Sequence, residues 1–142
     1  MAGFVIPTPH TFLLDAHALT LYASDARAMQ PWLALAQATD SSFCISAVTL
    51  AETTDGSPRD ANVRRAVKGI ECIEVSEAIG YEAGYLRAKA TNLRRKPRDL
   101  TVDALIAATA LSLYSSTVVL TSDAPDMELL LEGTGVRVHK VG

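Results

Sequence analysis

Short apolar runs of strand-like composition alternate with longer runs of helical composition along the chain. The strand-like runs cover 11–15, 42–46, 69–75, 116–122 and 136–141. Strands that are joined through helices run parallel, and the helices then cover both faces of the sheet. The alternation therefore predicts an α/β fold with a parallel sheet and helices on both faces. A length of 142 residues predicts a single domain, 1–142.

Segments of helical composition fill the gaps between these strands. The predicted helices cover 17–38 with a break near Pro31, the residues after Ser46, 59–67, 76–91, 101–113 and 125–131. Residues 92–100 form a basic loop that contains Pro97. The segment 101–113 is apolar nearly all round, so we expect this helix to be buried.

The composition excludes several classes of protein. Hydrophobic residues make up 49% of the chain and charged residues 20%, which argues against disorder. Aromatic residues make up 6%, which is too few for stacking platforms that bind single strands. The net charge of −3 excludes a generally basic protein that coats nucleic acid, but it allows a local basic patch.

The cysteines and the N-terminal residues indicate the cellular compartment in which the protein is expected. Cys44 and Cys72 lie in apolar runs, so we expect two buried free thiols in a reducing environment. The first ten residues carry no positive side chain, and no apolar run approaches the ~18 residues of a membrane span. We therefore expect a cytoplasmic protein without a membrane association.

Four acidic residues follow the carboxyl ends of predicted strands, where a parallel sheet binds ligands, and a fifth can reach the same edge from the start of a helix. These residues are Asp15, Glu52, Asp103, Asp123 and Asp126. Each has an alternative explanation on its own, since aspartates cap or open helices and a lone helical glutamate is usually solvated. Considered together, they are predicted to converge in one pocket at that edge.

Clustered carboxylates repel each other by ~4 kcal/mol for a pair 4 Å apart at an effective dielectric of 20. Such a cluster persists only when protons or a metal ion compensate the charge. Hard oxygen ligands without a nearby Cys/His set favour Mg²⁺ or Mn²⁺. Ions of this kind activate water and stabilise a leaving oxygen in phosphodiester cleavage.

Basic residues are concentrated just before the segment that carries Asp103. Arg87, Lys89, Arg94, Arg95, Lys96 and Arg98 fall within twelve positions, and no acid occurs between 83 and 98. The segment is either a solvated charged surface or a contact for the phosphate backbone of a nucleic acid. The backbone-contact interpretation applies to Arg87, Arg94, Arg95, Lys96 and Arg98.

Four segments, FLLDAH, LAET, TVDALIAATA and VLTSDAPDM, occur in an order and spacing that resembles PIN-domain ribonucleases, in particular VapC-type toxins. The resemblance covers nearly the whole chain and implies a three-layer sandwich with a mostly parallel central sheet. It implies catalytic roles for Asp15, Glu52, Asp103 and Asp123. It implies metal ligation of Mg²⁺ or Mn²⁺ by Asp15, Asp103, Asp123 and Asp126.

The same resemblance implies endonucleolytic cleavage of RNA, a cognate antitoxin protein and a homodimer. One departure is His17, where many members of the family carry Asn or Ser. His17 either orients a metal-bound water or contacts a phosphate, or it is an ordinary residue on a helix face.

Two other functions remain for comparison. A phosphoryl-transfer enzyme of the haloacid dehalogenase type would need a second Asp two residues after Asp15, and His17 stands there instead. A non-catalytic PIN-like module that binds RNA or protein is the remaining alternative. The presence of all the expected acids argues against this alternative.

Several apolar residues suggest an interface with a partner. Tyr81 and Tyr85 on one helix, Trp32, and the run 129–131 supply more apolar surface than one small core needs. We expect a hydrophobic antitoxin helix in a groove, followed by a basic residue that points into the acidic site. The alternative is that these residues form the core and a homodimer contact.

Overall fold

Five strands form one parallel sheet. The computed structural model describes residues 10–92, 99–114 and 116–142. The strands are β1 Thr11–Leu14, β2 Ser42–Ser46, β3 Glu71–Ile73, β4 Thr117–Thr121 and β5 Arg137–Lys140. They lie in the order β3-β2-β1-β4-β5, and all neighbouring pairs are parallel. The predicted fold class is therefore confirmed, and the sheet is parallel throughout.

Helices connect the strands, and several begin at a side chain that accepts a hydrogen bond from their first turn. They are α1 Ala16–Ala23, α2 Gln30–Thr39, α3 Ala47–Thr53, α4 Ala61–Val67, α5 Glu77–Thr91, α6 Thr101–Ser112 and α7 Ala124–Leu130. Asp15, Ser46 and Ser76 cap α1, α3 and α5 in this way. None of the helices in the described ranges has the length and apolarity needed to cross a membrane.

Two hydrophobic cores lie on opposite faces of the sheet because side chains alternate along each strand. In β1, Phe12 and Leu14 face the core with helices α1, α2 and α4, whereas Leu13 faces the core with α5, α6 and α7. Val119 of β4 lies in the same core as Leu13. The molecule is thus a three-layer sandwich, and α6 is buried as its composition predicts.

The break in the first helical segment lies earlier than predicted. Helix α1 ends at Ala23, Asp25 adopts a left-handed conformation with φ 55°, and a short 3₁₀ turn precedes α2. Pro31 does not break a helix, because it occupies the first turn of α2. Proline is tolerated there, since the N–H that it lacks would have no helical acceptor.

Two expectations about apolar residues are wrong. Trp32, Leu130 and Leu131 are buried in the cores, so they supply no free apolar surface. Cys72 is exposed, because β3 is an edge strand with little cover. Cys44 is buried as expected, and burial, followed by the charge of Glu71, raises the pKa of its thiol to about 12.

One buried hydroxyl lacks a hydrogen-bond partner within the described ranges, the Oγ1 of Thr49 in α3. Replacing Thr49 with Val removes this group, so we expect the free energy of unfolding to rise by about 1 kcal/mol. The matched control is Thr109→Val in α6, because Thr109 is equally buried but donates to the Leu105 carbonyl at 2.8 Å. Urea denaturation of both variants measures the difference. A loss of stability in Thr49→Val that equals the loss in Thr109→Val would contradict the prediction.

Candidate metal centre

The strand order reverses between β1 and β4, and the acidic residues emerge at this point. From β1, the chain adds β2 and β3 on one side and β4 and β5 on the other. Parallel pairing of Leu14 with Leu120 brings Asp15 next to the end of β4. Ligands of open α/β sheets bind beyond the carboxyl ends of the strands at such a reversal.

Asp15 is buried, and donors from two segments hold its carboxylate. The Ala18 N–H of α1 donates to Oδ1 at 2.8 Å. Thr121 Oγ1 donates to Oδ2 at 2.6 Å, and the Ser122 N–H donates to the same oxygen at 3.0 Å. Asp15 therefore caps α1, and it also ties α1 to the end of β4.

Thr121 connects this carboxylate to the next acidic residue. Its hydroxyl oxygen accepts a hydrogen bond from the Asp123 N–H at 3.0 Å while its own proton points to Asp15. Asp123 precedes α7, but its side chain makes no capping hydrogen bond to that helix. Asp123 thus occupies the N-cap position of α7 without the capping hydrogen bond that this explanation needs.

Three carboxylates from two helix starts meet at this edge. Asp103 lies in the first turn of α6, Asp126 lies in the first turn of α7, and Asp123 precedes α7. One carboxylate oxygen from each lies within 4.8 Å of the other two. We refer to Asp103, Asp123 and Asp126 as the aspartate trio.

The donor set of the aspartate trio fits a hard divalent cation. Carboxylate oxygens bind Mg²⁺ and Ca²⁺ at ~2.0–2.6 Å, so oxygens on one ion lie up to ~4–5 Å apart. The separation of at most 4.8 Å within the trio falls in this range. Asp15 and Glu52 lie outside this set of three.

Glu52 lies near the aspartate trio without being part of it. It is on the last turn of α3, two residues before the Thr54 that ends this helix. Loss of hydration, followed by repulsion from Asp103 and then Asp15, raises the pKa of the Glu52 carboxyl above its ordinary value. Glu52 thus interacts with the charges of Asp103 and Asp15, and Asp15 shares Thr121 with Asp123. The fifth predicted acid, Asp126, belongs to the aspartate trio.

The structure also locates residues whose roles were open. His17 is exposed on the first turn of α1, and its Nε2 lies close to the backbone of Gly142. The Arg87 guanidinium donates to Thr101 Oγ1 at 3.2 Å, at the start of α6. Asp99 accepts from the Thr101 N–H at 2.9 Å, so this end of α6 is held from two sides. The other candidate RNA contacts, Arg94, Arg95, Lys96 and Arg98, lie outside the described residues.

The raised pKa of Glu52 predicts a pH-dependent effect of Glu52→Gln on the metal-free protein. The ionised carboxylate destabilises the folded state at pH values above its raised pKa, and glutamine removes this cost. Below the ordinary glutamate pKa of ~4.3 the Glu52 carboxyl is protonated in both the folded and the unfolded protein. Glu52→Gln then gives no gain in stability. We expect the melting temperature in chelator to rise at pH 7 and to equal that of the parent near pH 4. The gain should shrink in an Asp103→Asn background, and a gain that is independent of pH would contradict this cause.

Comparison with known proteins identifies the fold. Neither protein-family models nor curated proteins give a match to the sequence. A chain of the DNA-bound VapBC complex from Salmonella typhimurium shares 20% identity at a TM-score of 0.67, over 92% of this chain and 97% of that chain. For a chain of VapBC2 from Rickettsia felis, bound to a DNA fragment from the promoter, the identity is 15% and the TM-score is 0.71. The match covers 93% of this chain and 99% of that chain.

A third solved structure, FitAcB from Neisseria gonorrhoeae, gives 19% identity and a TM-score of 0.59, over 89% of this chain and 95% of that chain. Identities this low establish a common fold rather than a common activity. The predicted resemblance to VapC-type PIN domains is therefore confirmed at the level of the fold: the chain is a PIN-like α/β sandwich.

Proposed function

We propose that the chain is a metal-dependent endoribonuclease that acts as the toxin of a toxin–antitoxin pair. The observation that carries the proposal is the meeting of the aspartate trio at the strand-order reversal. The fold shared with chains of VapBC and FitAcB complexes supports the same assignment. The substrate and the reaction follow from the chemistry of the site and from the family resemblance.

The aspartate trio would hold Mg²⁺ or Mn²⁺. When bound, the ion would act as a Lewis acid that lowers the pKa of water and stabilises the charge on the leaving sugar oxygen of a phosphodiester. Asp15 keeps the capacity to act as a further ligand, because a carboxylate has about four lone-pair sites and three are used by hydrogen bonds. Its negative charge also favours a cation at this edge.

Glu52 suits the role of proton acceptor. Its raised pKa brings the carboxyl closer to neutral pH, where a base both stays ionised and binds a proton well. The effect of the Asp103 and Asp15 charges on Glu52 supports a position near the attacking water. In this assignment Asp15, Glu52, Asp103 and Asp123 all act in catalysis.

The RNA backbone would approach along the basic segment that precedes α6. Arg87 borders this approach from α5, and Arg94, Arg95, Lys96 and Arg98 follow it in the sequence. Arg87 has a second contribution, because its hydrogen bond to Thr101 holds the end of α6 that carries Asp103. The alternative function is a non-catalytic PIN-like module that binds RNA or protein.

Metal binding and RNA cleavage separate these two functions. We expect Mn²⁺ binding by calorimetry, and Asp103→Asn should weaken it by at least ~10-fold, since even residues behind the ligands have effects of this size. Cleavage of a mixed RNA substrate should fall by about 100-fold or more, as when one electrostatic contributor to catalysis is lost.

The matched control is Asp40→Asn, which removes the same charge from an exposed residue just before β2, at the opposite edge of the sheet. Asp40 has φ 54°, a conformation that asparagine adopts readily. This variant should bind Mn²⁺ and cleave RNA like the parent. Binding of RNA without cleavage at any Mn²⁺ concentration would favour the non-catalytic module.

A groove between α3 and α4 supports the antitoxin part of the proposal. The groove has a volume of about 560 Å³, with an apolar floor of Leu50, Val63 and Val67 and a basic rim of Arg64 and Lys68. These features complement an amphipathic antitoxin helix with acidic residues beside its apolar face. In this proposal the antitoxin chain continues from the groove past α3 and brings a basic side chain to the acidic site.

Co-expression with the adjacent open reading frame tests this partner. We expect the two proteins to co-purify and the neighbour to suppress toxicity. Arg64→Glu combined with Lys68→Glu should abolish co-purification, because it reverses the charge of the groove rim. Arg65→Glu is the control, since Arg65 is exposed on the same helix but does not line the groove. If the neighbour neither co-purifies nor protects, the toxin–antitoxin assignment fails and the nuclease assignment stands by itself.

A further inference from the structure

A cavity of about 400 Å³ lies at the amino-terminal edge of the sheet, and we call it the amino-edge cavity. Its lining includes His10, which directly precedes β1, Thr117, which begins β4, and Arg137, which begins β5. Its volume falls in the ~300–1,000 Å³ range of small-molecule sites. Thr121, which contacts Asp15, lies at the other end of β4, about 13 Å from Thr117 at the usual rise of a strand. The amino-edge cavity and the aspartate trio therefore lie at opposite edges of the sheet.

The charged residues that line the amino-edge cavity are basic. His10 is buried in its wall, and Arg137 lines it as an exposed residue. Ser116 and Thr117 add two hydroxyl groups, and no acidic residue of the described ranges lines the cavity. A guanidinium stays charged in proteins and binds a carboxylate or phosphate group through two parallel hydrogen bonds. The lining therefore favours an anion over a cation.

Apolar side chains form much of the remaining lining. Leu111 of α6, Leu113 directly after α6 and Val136 directly before β5 pack against the hydrophobic core that contains Leu13. All three are only half-buried, so part of their apolar surface stays accessible. Covering this surface with an apolar group is favourable because it releases the surface from water. A ligand that joins an anionic group to an apolar body therefore matches both parts of the lining.

Hydrogen bonds hold the walls of the amino-edge cavity in place. The backbone N–H of His10 donates to Ser41 Oγ at 2.8 Å, just before β2. In the loop before β5, Thr134 Oγ1 donates to the Leu131 carbonyl at 2.7 Å and accepts from the Val136 N–H at 3.3 Å. Walls that are already ordered lose little conformational freedom when a ligand binds. The cavity is thus a preformed site.

We propose that the amino-edge cavity binds a small organic anion. The phosphate or carboxylate group of this ligand contacts Arg137 and His10. Its apolar or planar body lies against Leu111, Leu113 and Val136. The site is separate from the aspartate trio, so the ligand and a metal ion can be bound at the same time. The inference does not depend on the proposed nuclease activity, because ligand binding alone tests it.

Isothermal titration calorimetry with adenosine 5′-monophosphate and, separately, with octanoate tests the site, in chelator so that no metal ion contributes. We expect the parent protein to bind at least one of these probes, and the preferred probe distinguishes a nucleotide ligand from an acyl carboxylate ligand. Arg137→Gln should weaken the binding by ~10-fold or more, because it removes the charged partner of the anion. Lys140→Gln is the matched control, since Lys140 is an exposed cation at the other end of β5 and does not line the cavity. This variant should bind like the parent.

Two further measurements locate the bound probe. Ser116→Trp should abolish binding, because Ser116 is an exposed residue of the lining and a tryptophan there would fill the cavity, while circular dichroism should show an unchanged fold. In NMR spectra of the parent, the probe should shift the amide signals of Thr117, Gly135 and Arg137. Asp103→Asn should leave the affinity unchanged, which separates this site from the metal centre. The inference is overturned if neither probe binds at millimolar concentration, if binding survives both Arg137→Gln and Ser116→Trp, or if only amide signals of other surfaces shift.

Discussion

The hydrogen bond from Thr121 to Asp15 joins the two central strands at the point where the site is built. The donor is the last residue of β4, the acceptor directly follows β1, and the oxygen atoms are 2.6 Å apart. Because the same hydroxyl oxygen accepts from the Asp123 N–H, one side chain sets the relation between two acidic segments. Asp15 in turn fixes the start of α1 through Ala18. The orientation of α1, the end of β4 and the entry to α7 therefore depend on one buried carboxylate and one hydroxyl.

This arrangement also explains how several acids share one edge of the sheet. Three donors hydrogen-bond to the Asp15 carboxylate within the protein. The aspartate trio faces helix N-termini, where the backbone dipole favours negative charge to a modest extent. At Glu52, loss of hydration raises the pKa of the carboxyl, and repulsion from Asp103 and then Asp15 raises it further. This edge of the sheet therefore attracts positive charge. The repulsion between its carboxylates destabilises some of the acidic residues more than others.

Most of the fold follows from local pattern, whereas the site depends on contacts that no local pattern specifies. Periodicity and turn residues predicted each strand of the described residues, and the strand ends predicted which edge collects Asp15 and Asp123. Strand order depends on contacts between distant segments, so the sequence did not predict that β3 lies at the edge of the sheet. The exposure of Cys72 on this strand was therefore not expected. The trio depends on how α6 packs against α7, and neither helix encodes this packing by itself. Trp32 was ambiguous for a similar reason, since only the tertiary structure shows that it packs against Phe12 at 5.6 Å between ring centroids.

The bond between Asp15 and Thr121 spans 106 positions of the chain. Sheet pairing over such a separation forms slowly, because the loop must close before the contact stabilises it. At synthesis rates of ~5–20 residues per second, Asp15 leaves the ribosome roughly 5–20 s before Thr121 does. The acids are therefore scattered on an incomplete chain throughout that interval. The acidic site therefore cannot assemble before the last strands are made, and the proposed nuclease would be inactive until then.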